Sequence, residues 1–278
     1  WTGFDYIGES GGWPRVLGNF GIIDLVNFPK DTYYFYQSQW TDKPMIHILP
    51  HWNWPGKQGT VIPVHAYTTG DEAELFLNGQ SLGVQRISEA NPYHLEWMVP
   101  YTPGELKAVA RKDGAVIAST TLRTAGTPAK FALETDQIEL DPRQRDLAYL
   151  TLRVEDADGN FHPKGERWVS IQIQGPARIL GVHNGDPLSH HPFQSRTVKT
   201  FNGLARVILT ATTGEDVIKK NEEREPGEIV VTARVRGWEP REIRLQRTHE
   251  GLEASVFLPD NTGPLPTDVY DEGVPPVD

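Results

Sequence analysis

From Lys43 to about Thr248 the chain repeats one pattern: short runs of alternating apolar and polar residues, each closed by Gly, Asn, Asp or Pro. A period of two puts successive side chains on opposite faces of a strand. Such runs at close intervals therefore constrain the chain to antiparallel sheets packed face to face. They predict strands over 45–49, 60–67, 72–77, 80–86, 94–99, 105–111 and 116–122. Asn78-Gly79 lies between two of them and favours a type I′ hairpin, whose central residues both need positive φ. Leu106, Ala108 and Ala110 alternate with Lys107, Val109 and Arg111, as in a half-buried strand. Residues 124–128, Thr-Ala-Gly-Thr-Pro, read as a linker. Beyond it Ala148, Leu150, Leu152 and Val154 form one face and Tyr149, Thr151, Arg153 and Glu155 the other. Val169, Ile171 and Ile173 repeat the alternation, as do Ile229, Val231, Ala233 and Val235. Asp156-Ala-Asp-Gly-Asn160 and Asn202-Gly203 supply turns. The expectation is two successive β-sandwiches, over 44–125 and 126–248.

Composition narrows the function classes. With 278 residues, 38% hydrophobic and 23% charged, the chain can bury two cores. It has no Cys, which excludes disulfides, thiolate metal sites and Cys nucleophiles. No apolar run approaches the ~18 residues of a membrane helix. The net charge of -10 argues against nucleic acid as a partner. Seven of those negative charges follow Arg247, on Glu250, Glu253, Asp260, Asp268, Asp271, Glu272 and Asp278, with no Lys or Arg among them. That acidic stretch, 249–278, also carries five Pro residues and reads as an extended or disordered tail.

The first 43 residues differ. Trp1-Thr-Gly-Phe-Asp5-Tyr-Ile-Gly-Glu9 reads as an apolar and aromatic strand ending in a Gly-rich loop. Residues 31–39 read as a helix, with Pro29 just ahead and Asp31 placed to cap the first turn. Its aromatic residues, Tyr33, Tyr34, Phe35 and Tyr36, with Trp40 after them, cover more than one face and predict a helix largely buried in a complete domain, whose surface lacks part of its partner in this chain and favours association. The chain opens on Trp rather than Met, and the expectation is that sequence precedes it.

The opening stretch, Gly18-Asn-Phe-Gly-Ile-Ile-Asp24 and Phe28-Pro-Lys-Asp-Thr-Tyr-Tyr34 resemble the end of the (β/α)₈ catalytic barrel in glycoside hydrolase family 2, the β-galactosidase group. Glu74-Leu-Phe-Leu-Asn-Gly-Gln-Ser-Leu-Gly83 and Val182-His-Asn-Gly-Asp186 resemble the C-terminal β domains of its bacterial members. The resemblance implies a mainly β chain: two immunoglobulin-like β-sandwich domains preceded, over 1–43, by the last βα unit of a truncated barrel. A retaining glycosidase works with two carboxyl groups about 5–5.5 Å apart. The resemblance places both on earlier barrel strands, so it implies that this chain carries no catalytic residue. It implies a carbohydrate substrate for the intact enzyme and, as a second partner, the N-terminal part of the same protein. It also implies sugar contact by Trp1 at the strand tip, with Asp5 and then Glu9 as lesser candidates. The alternative for each is structural: Trp1 plugs the barrel mouth and Asp5 holds a neighbouring loop.

Further motifs have two readings each. His51-Trp-Asn-Trp54 could line a sugar site, combining stacking with hydrogen bonds. Alternatively Trp52 and Trp54 wedge the first sandwich against the barrel. The nine His residues suggest no metal: His190 and His191 are adjacent and face opposite sides, and His47 and His51 flank a strand end. The 156–160 segment shares two carboxylates with calcium loops but lacks the later Glu, so a turn is expected. Gly8-Glu-Ser10-Gly-Gly12 matches the nucleophile elbow in letters, yet Gly11, Gly12 and Pro14 oppose the helix that an elbow needs. No cofactor is expected. Two rivals remain: a carbohydrate-binding module, for which exposed coplanar Trp97, Trp168 and Trp238 would speak, and a structural pair of domains that mediates homo-oligomer formation.

Overall fold

The structure is a computed structural model and describes residues 2–88, 93–213 and 227–249. Trp1 and the acidic tail from Glu250 lie outside the described residues. The chain is mainly β and divides into two compact units. The first comprises Trp1–Ala129, Val154–Gly165 and Gly185–His190; the second comprises Lys130–Arg153, Glu166–Asn184 and His191–Asp278.

The first unit opens with β1 (Thr2–Phe4), β2 (Tyr6–Ile7), β3 (Leu17–Gly18), β4 (Gly21–Ile23) and α1 (Asp31–Trp40). The single opening strand expected from sequence is thus broken at Asp5. β1 pairs in parallel with β4, and β2 pairs antiparallel with β3. Gly21 is needed where the strands meet, because a Cβ there would lie 2.3 Å from the Asp5 nitrogen. The helix is the predicted one, and its aromatic surface is only partly covered in this chain. Ser38 is its buried residue and Trp40 is 67% exposed. Sheet covers the helix along one side, where Phe35 meets Tyr67 edge-on at 5.4 Å and Tyr34 stacks on His47 at 3.9 Å. Nor does Asp31 cap: Lys30 holds the cap position without a side-chain bond, and the Asp31 carboxylate instead meets His47 Nε2 at 2.7 Å.

The first sandwich follows, with β5 (Ile46–Leu49), β6 (Val61–Thr68), β7 (Glu72–Leu77), β8 (Gln80–Arg86), β9 (Leu95–Pro100), β10 (Glu105–Lys112) and β11 (Ala115–Arg123). A three-stranded sheet, β5-β6-β9, faces a four-stranded one, β11-β10-β7-β8. Ile48, Val64, Ala66, Leu95 and Val99 from one sheet meet Ala73, Leu75, Leu106, Ala108 and Ala110 from the other. The alternation predicted for β10 is the observed one. Asn78 and Gly79 both adopt positive φ, 51° and 81°, as a type I′ turn requires. Asn78 does more than turn: its Oδ1 accepts from the Glu105 N–H at 2.8 Å, and its Nδ2 donates to the Pro103 carbonyl at 3.2 Å.

The second sandwich is built from β12 (Pro128–Thr135), β13 (Glu139–Leu140), β14 (Leu147–Asp156), β15 (Trp168–Gln174), β16 (Ala177–His183), β17 (Thr197–Lys199), β18 (Leu204–Ala211), β19 (Glu228–Val235) and β20 (Arg241–Arg247). Its sheets run β12-β14-β18-β16 and β13-β20-β19-β15-β17. Ala148, Leu150 and Leu152 are buried against Val169, Ile171 and Ile173 and against Ile229, Val231 and Ala233 within one core. Asn202 and Gly203 turn the chain with φ of 49° and 77°.

Candidate functional site

The end of β1 is where the resemblance places sugar contact. Asp5 is buried, and its Oδ1 accepts from the Gly21 N–H at 2.9 Å and from Lys30 Nζ at 2.6 Å. Lys30 also donates to the Asn19 carbonyl at 3.3 Å. The carboxylate therefore ties β1 to β4 and to the residue that starts the helix, and an ammonium neutralises its charge. A buried charge needs such a partner, because removing one side leaves the other uncompensated.

Glu9 goes elsewhere. It is exposed, sits at a φ of 38°, and accepts a hydrogen bond from the Tyr6 hydroxyl. That bond raises the Tyr6 pKa above its ordinary value. Asp5 and Glu9 are therefore not brought together as a pair. Asp24, a half-buried neighbour, accepts from the Val26 and Phe28 N–H groups at 3.0 and 2.8 Å and closes its own turn. Burial raises its pKa despite those bonds. Ser10 is followed by Gly11 and Gly12 at φ of 73° and 108°, so no helix follows it and no nucleophile elbow forms.

The loop His51–Trp54 is packed into the first sandwich. Trp52 is 1% exposed, lies in the first sandwich core edge-on to Tyr101 at 5.1 Å, and donates from Nε1 to the Thr102 carbonyl at 3.0 Å. Its own carbonyl accepts from the Thr124 hydroxyl at 2.5 Å. The buried Asn53 amide pairs both ways with the Ala125 backbone, Nδ2 to the carbonyl at 3.1 Å and Oδ1 from the N–H at 2.9 Å. The loop thus clamps the segment that leaves β11. A polar pair of this kind is what a buried loop needs to satisfy its backbone. Trp54 donates to the His51 carbonyl at 2.8 Å, and Lys164 Nζ lies 4.8 Å over its ring. Burial, and after it the Lys164 charge, lowers the His51 pKa, so the neutral imidazole Nδ1 accepts from the Asn53 N–H at 3.2 Å.

Asp156 completes the clamp. Its carboxylate accepts from the Gly126 N–H at 2.8 Å, the Asn160 N–H at 2.8 Å and Asn160 Nδ2 at 3.0 Å. Burial pushes this carboxyl up, but the three bonds outweigh it and hold the pKa down at about 2. The 156–160 segment is a turn, with Glu155 bridged to Phe161.

The aromatic residues that would mark a binding face are already engaged. Trp97 is buried and donates to the Gly83 carbonyl at 3.2 Å. Trp168 is half-buried, edge-on to His191 at 5.3 Å, and Trp238 packs near Phe131 under the Arg167 guanidinium. His190 and His191 part as expected: His190 meets the Pro14 carbonyl at 2.7 Å, and His191 meets that of Thr197 at 2.7 Å. Sequence reasoning missed Lys30 as the partner of Asp5, and a cluster of His65, His94 and Glu96 on the first sandwich. The second was open to discovery, since both strands were predicted and only their register was needed.

Known proteins share this architecture. Residues 131–244 match the glycoside hydrolase family 2 C-terminal domain 5, and residues 59–118 match a domain of unknown function (DUF4982). A β-galactosidase of Bacteroides ovatus is 43% identical over 75% of this chain, which spans 25% of that protein. A β-glucuronidase of Formosa agariphila is 30% identical over 61% of this chain and 17% of its own length. The crystal structure of a β-glycosidase from Bacteroides vulgatus superposes with a TM-score of 0.81 and 35% identity, over 88% of this chain and 30% of that one. The chain spans about a quarter of the length of the Bacteroides ovatus relative. It belongs to glycoside hydrolase family 2 and corresponds to a C-terminal part of that family's enzymes.

Proposed function

We propose that this chain serves a retaining β-glycosidase as its C-terminal part, with the reacting carboxylates supplied by sequence outside it. Its share of the work is the last barrel strand, with Trp1 and its neighbours at the sugar subsite, and two accessory sandwiches. The observation that carries the reading is the family 2 match over 131–244 in a chain that spans 25% of a β-galactosidase. Local geometry supports it: Asp5 is neutralised by Lys30 and Glu9 turns to Tyr6, so neither is poised as a nucleophile. The intact enzyme would run through a covalent glycosyl-enzyme.

The test has two arms. Residues 1–278 alone should hydrolyse aryl β-galactosides and aryl β-glucuronides no faster than buffer. Turnover that Asp5→Asn or Glu9→Gln abolishes would overturn the proposal. In the longer enzyme, Trp1→Ala should lower kcat/KM on the order of a hundredfold, about 2.7 kcal/mol, with Trp1→Phe losing less. Normal kinetics with a depressed Tm would make Trp1 a plug and not a subsite wall.

A further inference from the structure

The outer face of β6 and β9 gathers two imidazoles and a carboxylate. His65 on β6 and Glu96 on β9 are direct cross-strand partners. His94 stands two residues before Glu96, and the strand period of two returns it to the same face. The result is compact: His65 Nε2 lies 3.3 Å from Glu96 Oε1, and the two imidazole rings lie 4.9 Å apart. One ligand atom from each residue falls within 4.8 Å of the others.

We propose that His65, His94 and Glu96 form a surface site for a divalent transition metal of the zinc type. The donor set is the first argument. Two imidazoles and a carboxylate suit zinc and its neighbours, whereas magnesium and calcium take oxygen ligands throughout. Three protein ligands leave a fourth tetrahedral position to water. Geometry is the second argument. Zinc holds such ligands at about 2.0–2.1 Å, which sets tetrahedral ligand atoms roughly 3.4 Å apart. The His65–Glu96 separation already has that value, and a ligand atom of His94 lies within 4.8 Å of both. Position is the third argument. All three side chains stand on or beside paired strands, which hold a ligand set more firmly than a loop does. His65 and His94 are half-buried and Glu96 is exposed, so an ion can enter from solvent.

The site is tested without any glycosidase assay. Zinc chloride is titrated into the chain at pH 7.5 by calorimetry, and cobalt(II) is followed by its visible absorption. The expected result is one saturable site that millimolar magnesium does not displace. His65→Ala and His94→Ala should each weaken it by about a hundredfold or more, since changing even an outer partner of a metal ligand costs 10–100-fold. Glu96→Gln, which keeps the shape of the side chain, should weaken it without unfolding the protein. His190→Ala and His191→Ala should leave it unchanged. Absence of saturable zinc binding, or binding that survives His65→Ala and His94→Ala, would overturn the proposal.

Discussion

The first 43 residues and the second sandwich hold themselves together by different means. In the second sandwich, alternate residues of β14, β15, β18 and β19 close a continuous apolar core. In the opening segment Leu17 and Val26 are the buried apolar side chains among the described residues, while Phe4, Ile7, Trp13, Phe20 and Trp40 are exposed. Polar ties do the ordering there: Asp5 to Gly21 and Lys30, Asp24 to its own turn, Asp31 to His47. Hydrogen bonds to charged groups set geometry well but contribute little apolar burial. The lesson is that a segment can be sharply shaped and still lack a core of its own. That is how one unit of a larger layered domain should look.

The largest effect expected of this contrast is in the core. Leu152→Ala should lower stability by about 2–5 kcal/mol, because Leu152 is fully buried and the cavity cannot collapse between two sheets. Ile7→Ala, on an exposed side chain, should stay within about 0.5 kcal/mol. Urea midpoints at unchanged m measure both. Equal losses would abolish the contrast and give the opening segment a core that the burial pattern does not show.

Next in size is the clamp. Asn53→Ala removes both bonds to Ala125 and leaves a buried N–H and carbonyl without partners, at about 1–3 kcal/mol. Asn53→Asp keeps the acceptor, loses the donor and sets a buried carboxylate against the Ala125 carbonyl, so it should cost at least as much as Asn53→Ala. Indifference to both would mean that water replaces the amide, which would show in hydrogen exchange at Ala125.

Asp156 sharpens the comparison through pH. Its folded pKa of about 2 lies below the ordinary 3.8. The unfolded state therefore binds its proton first as pH falls, and the stabilisation is present above about pH 4 and lost through about pH 2. Asp156→Asn should flatten the fall in urea midpoint over that window while changing the curve little above it. Parallel curves for the two proteins would remove Asp156 from the clamp.

Much of this fold was legible because strands and turns are local. Period-two alternation and Asn-Gly pairs placed β7, β8 and β10 with almost no error, since the backbone preference and the burial pattern agree there. The pairs that make the sites were not legible. Asn53 and Ala125 are 72 residues apart, and Asp5 and Lys30 are 25 apart. His65 meets Glu96 only through strand register, which composition does not encode. The helix itself was legible, but which of its aromatic residues are covered was not, because that depends on the strands that lie beside it: Phe35 meets Tyr67 while Trp40 is exposed.

The smallest effect on stability should come from the exposed aromatic residues of the opening segment, and there the comparison is most easily broken. Trp13 is 85% exposed, and its ring touches His190 at 4.5 Å. Phe4 is 57% exposed at the edge of a two-stranded pairing. An exposed apolar side chain gains little from folding, so Phe4→Ser and Trp13→Ser should move the urea midpoint within about 0.5 kcal/mol. What they should change is association. Apolar area left in water favours contact between copies of the chain, and removing it should shift the sedimentation distribution of 1–278 toward monomer. The second sandwich supplies the control, because Phe193→Ser removes an exposed aromatic side chain from a region with a closed core. It should leave sedimentation unchanged. If Phe193→Ser lowers association as much as Trp13→Ser does, exposed apolar area alone governs the behaviour, and the opening segment is not special. If Trp13→Ser costs 2 kcal/mol or more, the His190 contact supports the fold, and polar ties are not the only thing that orders the first 43 residues.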